Sequence, residues 1–267
     1  MDLTDLFWVI VTQLGEDRFY IVILSIVYLF MGRKIGAKAC TVVLLNMAIN
    51  AISKDFFKMP RPAPELWKYA VEGYGFPSGH AQGSIVLWGY MSYSLNSIAL
   101  ALLSLFVVLL VSYSRIALEV HYFRDIVGGW GIGACVLIIA IGVERLGIST
   151  RLGNWKKHLW LFLPVAFFLI SYATSLGIQT SAITNGVLLG VLLGYFFSEQ
   201  NEFREPTEWK VRAFASAITI ILVSAFYFIV IRQIETVMLL FLASAVLGFS
   251  VSYFVPLIED RCLARRS

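Results

Sequence analysis

The chain has 267 residues, 59% of them hydrophobic and only 14% charged, with a formal charge of +4. Charged residues make up about a quarter of an ordinary soluble domain, so this composition excludes one and makes the bilayer the solvent. A few extra cations orient a membrane protein, and nothing in their distribution supports nucleic-acid binding.

Asp2, Asp5, Glu16 and Asp17 stand where a secretory signal would carry a basic segment, so the first apolar stretch is expected to remain in the protein. Residues 3–14 repeat apolar side chains at Leu3, Leu6, Phe7, Val9, Ile10, Val11 and Leu14. That stretch is too short to span a membrane but suits a helix lying in the interface and ending at Gly15. Nine apolar runs follow, at residues 19–31, 35–52, 81–95, 98–114, 126–143, 159–176, 182–197, 213–231 and 236–258. With flanking polar turns, each is read as crossing a hydrocarbon core of about 30 Å at roughly 1.5 Å per residue. Asn96 and Ser97 alone mark the turn between the third and fourth. Between the second and third, Pro60, Pro62, Pro64, Gly73, Gly75 and Pro77 exclude a continuous helix. A short amphipathic turn fits residues 65–71. Gly128, Gly129, Gly131 and Gly133 in the fifth run predict close helix contact. Three cysteines, Cys40, Cys135 and Cys262, predict neither a disulfide nor a metal site, and the first two read as small buried hydrophobes.

Three polar clusters interrupt this pattern: Lys54, Arg61 and Pro62; Pro77, Ser78, Gly79 and His80; and Ser114, Arg115, His121 and Asp125. Nine alternating crossings put all three on one face. The opposite face holds thirteen of the lysines and arginines, Arg33, Lys34, Lys38, Arg145, Arg151, Lys156, Lys157, Arg204, Lys210, Arg212, Arg261, Arg265 and Arg266. The motif face holds eight, or five once Lys54, Arg61 and Arg115 are assigned to chemistry. That asymmetry makes the opposite face cytoplasmic, with amino terminus and clusters outside and carboxyl terminus inside.

Each cluster has a chemical and a plain reading. A lysine or arginine costs roughly 2.5–3.5 kcal/mol at the centre of a span, so cations at span ends commonly snorkel to the headgroups. Arg61 between two prolines is instead a rigidly presented fork matching two phosphate oxygens, with Lys54 a point charge beside it. Pro77 to His80 precedes an apolar run, where a helix starts with unpaired N–H groups and its positive dipole end. Ser78 is then either an N-cap or an anion ligand. Gly79 lets a ligand approach the backbone, and His80 is placed to meet a leaving-group oxygen. Asp125, four residues after His121, is read as one helical turn away on the same face. It either fixes the imidazole tautomer of a nucleophile or is a helix-start carboxylate near a surface histidine.

Taken together, Lys-x6-Arg-Pro, Pro-Ser-Gly-His and Ser-Arg-x5-His-x3-Asp resemble the signature of the type 2 phosphatidic acid phosphatase superfamily, with every signature position filled. The likeness is strong over residues 15–145. It implies that His121 attacks phosphorus to form a phosphohistidine while Asp125 orients and stabilises its ring. It implies that His80 protonates the leaving group and then activates water. Lys54, Arg61, Ser78, Gly79 and Arg115 are implied to bind the phosphate oxygens, with no cofactor and no metal. Glu119 and Arg124 occupy non-signature positions and are read as pairing with each other or facing water. His158, beside Lys156 and Lys157, reads as interfacial.

The expected fold is an all-α integral membrane protein of about nine transmembrane helices, a six-helix catalytic core plus three C-terminal helices. Residues 1–145 carry all three motifs and residues 146–267 complete the bundle. The span count is similar to the superfamily branch holding sphingosine-phosphate, dolichyl-diphosphate and glucose-6-phosphate phosphatases. The expected activity is hydrolysis of a lipid phosphate or diphosphate: polyprenyl phosphate, phosphatidic acid, phosphatidylglycerophosphate or a sphingoid phosphate. The expected setting is the plasma membrane, with the site on the extracytoplasmic face and membrane lipids as partners. Two alternatives stay open, a phosphatase for a soluble ester such as a sugar phosphate and an anion transporter.

Overall fold

In a bilayer the backbone must satisfy its own hydrogen bonds, and apolar runs separated by short polar breaks do so as helices. The computed structural model describes residues 2–147, 159–203 and 208–264, and among them the regular structure is helical, with no strand. Ten α-helices follow in order: α1 Leu3–Thr12, α2 Asp17–Phe30, α3 Arg33–Phe57, α4 Gly79–Ser94, α5 Ile98–Ala117, α6 Phe123–Arg145, α7 Leu159–Thr174, α8 Ile178–Gln200, α9 Trp209–Ile229 and α10. The last begins as Val237–Phe249, passes through a π-helical stretch at Ser250–Phe254 and ends as Val255–Ala264.

The nine apolar runs fall on α2 to α10, but not all are equal. Six helices are long and apolar enough to cross a membrane: α3, α5, α6, α8, α9 and α10. This is the build of a multi-pass membrane protein. Helices α2, α4 and α7 have 14, 16 and 16 residues. At about 1.5 Å per residue they reach roughly 21–24 Å, short of a hydrocarbon core of about 30 Å. The predicted interfacial helix is α1, whose Leu3, Leu6, Phe7 and Ile10 are exposed, continued by a 3₁₀ turn Gln13–Gly15. Asn96 turns the chain with φ 47°, and the Ser97 hydroxyl accepts the Leu100 N–H at 3.2 Å to start α5. The turn expected over 65–71 is only a 3₁₀ turn at Pro64–Leu66. Cys40 is buried as expected, whereas Cys135 is exposed on α6. Arg151, Lys156, Lys157, Arg204, Arg265 and Arg266, which carried part of the charge asymmetry, lie outside the described residues, as does His158, read as interfacial.

The chain divides into two compact units, Met1–Tyr20 with Asn46–Gly153, and Ile21–Leu45 with Asn154–Ser267. In the first, α4 packs against α5 and α6, and α1 against α5. A Cβ at Gly129 would sit 2.6 Å from the Ser78 carbonyl and one at Gly133 2.8 Å from the Gln82 carbonyl, so these glycines let α6 lie against the backbone of α4. Gly131, by contrast, has nothing within 4 Å of that position. A buried amide ladder joins α3 to α4: Gln82 Nε2 donates to Asn46 Oδ1 at 2.8 Å, and Asn50 Nδ2 donates to Gln82 Oε1 at 2.8 Å and to the Pro77 carbonyl at 3.3 Å. Interhelical amides have few competing partners in lipid, so this ladder fixes the register that presents Pro77 to His80.

The second unit packs α8 against α7 and α10. Gly186, Gly190 and Gly194 recur at four-residue spacing on α8, and a Cβ at Gly190 would overlap the Ala245 carbonyl of α10. Phe168 stacks on Phe241 at 4.2 Å. The glycine spacing was visible in the sequence and marks a second small-residue seam that the sequence reading overlooked.

Candidate active site

The first cluster sits where α3 ends and the proline-rich exit begins. Lys54 lies in the last turn of α3, and its Nζ donates to the Tyr74 carbonyl at 2.6 Å. Arg61 ties the loop at residues 72–73 to the segment at residues 120–121. Nε donates to the Gly73 carbonyl at 3.0 Å and Nη2 to the Glu72 carbonyl at 2.9 Å, while Nη1 reaches the Val120 carbonyl and His121 Nε2, each at 2.9 Å. A planar fork with five donors suits this task, and a lysine could not hold four acceptors at once.

The second cluster starts α4. Ser78 occupies the N-cap position with extended backbone, but its hydroxyl makes no cap hydrogen bond. Its Oγ is buried with no hydrogen-bond partner among the described residues, while its N–H donates to the Asp125 carbonyl at 2.9 Å. The N-cap reading therefore does not account for this side chain. Gly79 and His80 form the first turn, where free N–H groups and the helix dipole favour an anion.

The third cluster closes the set. Arg115, 2% exposed near the end of α5, points Nη1 at the Thr12 hydroxyl at 2.5 Å and at His80 Nε2 at 3.3 Å, with the Tyr69 ring 5.7 Å away. Ser114 is used locally, its Oγ donating to the Val111 carbonyl at 2.6 Å. His121 and Asp125 do not share a helical face as expected. α6 begins at Phe123, so His121 precedes the helix and Asp125 sits in its first turn. Asp125 Oδ2 nonetheless meets His121 Nδ1 at 3.2 Å and accepts the Tyr122 N–H at 3.0 Å. The helix N-terminus stabilises that carboxylate, an electrostatic aid that a mid-helix position would lack.

The tautomer of His121 follows from its neighbours. Arginine only donates, so Nε2 must accept from Arg61, which leaves the proton on Nδ1 and directs it to Asp125. Burial, then the charges of Arg61, Arg115 and Lys54 and of His80, hold the His121 imidazole well below its usual range, so the ring is neutral. The neutral ring keeps an in-plane lone pair on Nε2 facing Arg61, within electrostatic reach of Arg115 and Lys54.

The structure thus brings His121, Asp125 and Arg61 into direct contact, joins His80 to Arg115, and links Ser78 to Asp125 through the backbone. Glu119 and Arg124 do not pair with each other. Glu119 faces Lys68 at 3.6 Å, and exposed Arg124 lies 3.7 Å from Asp125 Oδ1 and over the Tyr122 ring at 4.8 Å. Sequence reasoning missed a second layer. Glu16 Oε1 lies 3.4 Å from His80 Nε2 and accepts from the Tyr69 hydroxyl at 3.1 Å. Hydrogen bonding to His80 first, then its charge, the Tyr69 hydroxyl and Arg115, hold the Glu16 carboxyl down to about 2 against the opposing effect of burial. The signal available was Thr12 and Glu16, polar residues four apart closing an apolar segment.

Cationic groups and two imidazoles gather at helix ends of a multi-pass membrane protein, a set chemically suited to an anion. Residues 35–147 match the family model described as the PAP2 superfamily. The chain is 27% identical over 156 residues to an undecaprenyl-diphosphatase of Sulfolobus acidocaldarius, covering 56% of this chain and 75% of that protein. It is 29% identical over 153 residues to a probable sphingosine-1-phosphate phosphatase of Dictyostelium discoideum, covering 51% of this chain but only 36% of that protein. Among solved structures, a transmembrane PAP2 type phosphatidylglycerolphosphate phosphatase from Bacillus subtilis aligns with a TM-score of 0.49 and 22% identity, over 54% of this chain and 78% of that one.

Proposed function

We propose that this protein is a metal-independent phosphatase that hydrolyses a lipid phosphate or diphosphate through a phosphohistidine on His121. The observation that carries this reading is the placement of His121, with Nε2 2.9 Å from Arg61 Nη1 and Nδ1 3.2 Å from Asp125 Oδ2. Arg61 holds Nε2 in the absence of substrate, and a phosphate would draw the guanidinium onto its own oxygens and release the nitrogen for in-line attack. The Nε2–P bond forms as the bond to the leaving oxygen breaks, and His80 donates the proton that oxygen requires. Water then attacks phosphorus, gives its proton to His80, and returns His121 with inorganic phosphate. Lys54, Arg61 and Arg115, with Ser78 and the Gly79 N–H, neutralise the equatorial oxygens throughout, which is the part a metal plays elsewhere.

The membrane setting supports a lipid substrate, because a headgroup can enter the site while its chains stay in the bilayer. Polyprenyl phosphates, phosphatidic acid, phosphatidylglycerophosphate and sphingoid phosphates share the required phosphate ester or anhydride. The relatives' names point to the first, third and last of these. The nine-crossing layout, in which the short helices α2, α4 and α7 cross with the help of their flanking turns, is part of the same proposal, with the site and amino terminus outside a plasma membrane and the carboxyl terminus inside. Protease added outside intact cells should leave a tag after residue 267 uncut. The decisive assay is phosphate release by the purified protein in chelator over a panel of these lipids and a sugar phosphate. Release from a lipid, blocked by vanadate and lost in His121→Ala, is the expected result; wild-type turnover by His121→Ala would overturn the covalent scheme.

A further inference from the structure

We propose that Glu16, on the segment joining α1 to α2, is the positioning residue that loads and holds the proton of His80. The proposal rests on the assignment of His80 as acid and base in the phosphohistidine scheme. His80 Nε2 lies between opposed partners: Arg115 Nη1, a donor, at 3.3 Å, and Glu16 Oε1, an acceptor, at 3.4 Å. An unprotonated Nε2 can accept from Arg115 but has nothing to give Glu16. Once protonated it can donate to Glu16 and is repelled by Arg115. Protonation therefore switches the partner of a single atom.

The surroundings favour this use over accident. Glu16 is tied in place by the Tyr69 hydroxyl at 3.1 Å, with Gln13 Nε2 3.5 Å from the same hydroxyl. Gly15 packs so tightly on His80 that a Cβ there would lie 2.5 Å from the ring Cδ2. The segment is also anchored from α1 to the loop before α4 by an ion pair between Asp5 and Lys68 at 3.1 Å. The charged groups acting on His80 are Glu16 from this segment, Arg115 from α5 and Lys54 from α3, with His121 also within electrostatic reach. Two cations oppose its protonation and one carboxylate supports it. A bound phosphate would engage Arg115 and Lys54 and offset their charge, leaving Glu16 as the partner that decides. The acid would then be charged only when there is an ester to cleave. The proton balance closes: Nε2–H passes to the leaving oxygen in the first step, and the attacking water restores it in the second.

The test uses full-length protein in detergent and measures the rate of phosphoenzyme formation for two substrates. One is an alkyl phosphate lipid, whose leaving oxygen needs a proton; the other is 4-nitrophenyl phosphate, whose leaving group departs without one. Glu16→Gln keeps the size of the side chain and should slow the alkyl ester by about tenfold or more, part of the 10²–10⁴ that general acid catalysis supplies, and the aryl ester by less than about threefold. Activity that requires protonated His80 falls as pH rises through its pKa. Loss of the carboxylate should shift that falling limb to lower pH, and Glu16→Asp should restore part of both effects. Equal slowing of both esters with an unmoved pH profile, or no slowing of either, would overturn the role of Glu16. Turnover persisting in His121→Ala would instead overturn the underlying scheme, so the two failures are separable.

Discussion

The two histidines of the site are held in opposite ways. His121 is 4% exposed and fixed at both nitrogens, Nδ1 against Asp125 and Nε2 against Arg61, and its neighbours permit one tautomer. His80 brings one nitrogen between a cation and a carboxylate, at 3.3 and 3.4 Å, so each protonation state has a partner. In the proposed scheme the contrast follows from what each atom would have to do. A nucleophile is most effective when its lone pair is never lost to a proton, whereas an acid that later serves as base must tolerate both states at similar free energy.

That contrast can be broken at several points. His121→Ala should remove turnover to background for alkyl phosphates, since uncatalysed monoester hydrolysis is slower by as much as about 10²¹ than the fastest catalysed case. Phosphate release from a radiolabelled lipid reads this directly. Asp125→Asn should lower kcat by about 10³- to 10⁴-fold with little change in KM, because the amide no longer selects the Nδ1–H tautomer. Thr12→Val removes the hydroxyl beside Arg115 Nη1 and should weaken substrate binding by about tenfold, seen in KM more than kcat.

The smaller effects concern pH and packing. The His121 pKa lies well below its ordinary value of 6.5 in the folded protein, so the nucleophile stays neutral as pH drops through 6.5 and contributes no loss of kcat/KM there. The unfolded chain does take up that proton, so this group's contribution to stability is present above about 6.5 and is lost as pH falls below it. For Glu16, lowered from 4.5 to about 2, the contribution is present above 4.5 and is lost as pH falls towards 2. Thermal unfolding in detergent at stepped pH, with Glu16→Gln lacking the lower step, checks both signs. Gly129→Ala should lower the melting temperature by an overpacking penalty of about 1–3 kcal/mol, while Gly131→Ala should not, since no atom lies within 4 Å of its added methyl.

Much of the cluster around His80 and His121 was legible because its residues fall in short local patterns. Pro77 to His80 had to start a helix, and Arg61 between prolines had to be presented rigidly. Asp125 was legible as the partner of His121 even though the reason first given, a shared helical face, was wrong. The chain turns at Glu119, with φ 57°, so His121 approaches Asp125 from outside the helix. Glu16 was not legible, because sixty-four residues separate it from His80 and nothing in a lone acidic residue after an interfacial helix distinguishes a solvated group from a buried partner.

The sequence by itself determined the solvent, the helical class and the positions of the breaks, all of which depend on composition and on patterns within a few residues. Only the tertiary structure decided which helices are long enough to cross, how α6 packs on α4, which nitrogen of His121 keeps its lone pair, and which carboxylate faces His80. Those depend on distances between residues far apart in the chain, set by close glycine contacts and by a buried amide ladder whose partners no local pattern specifies.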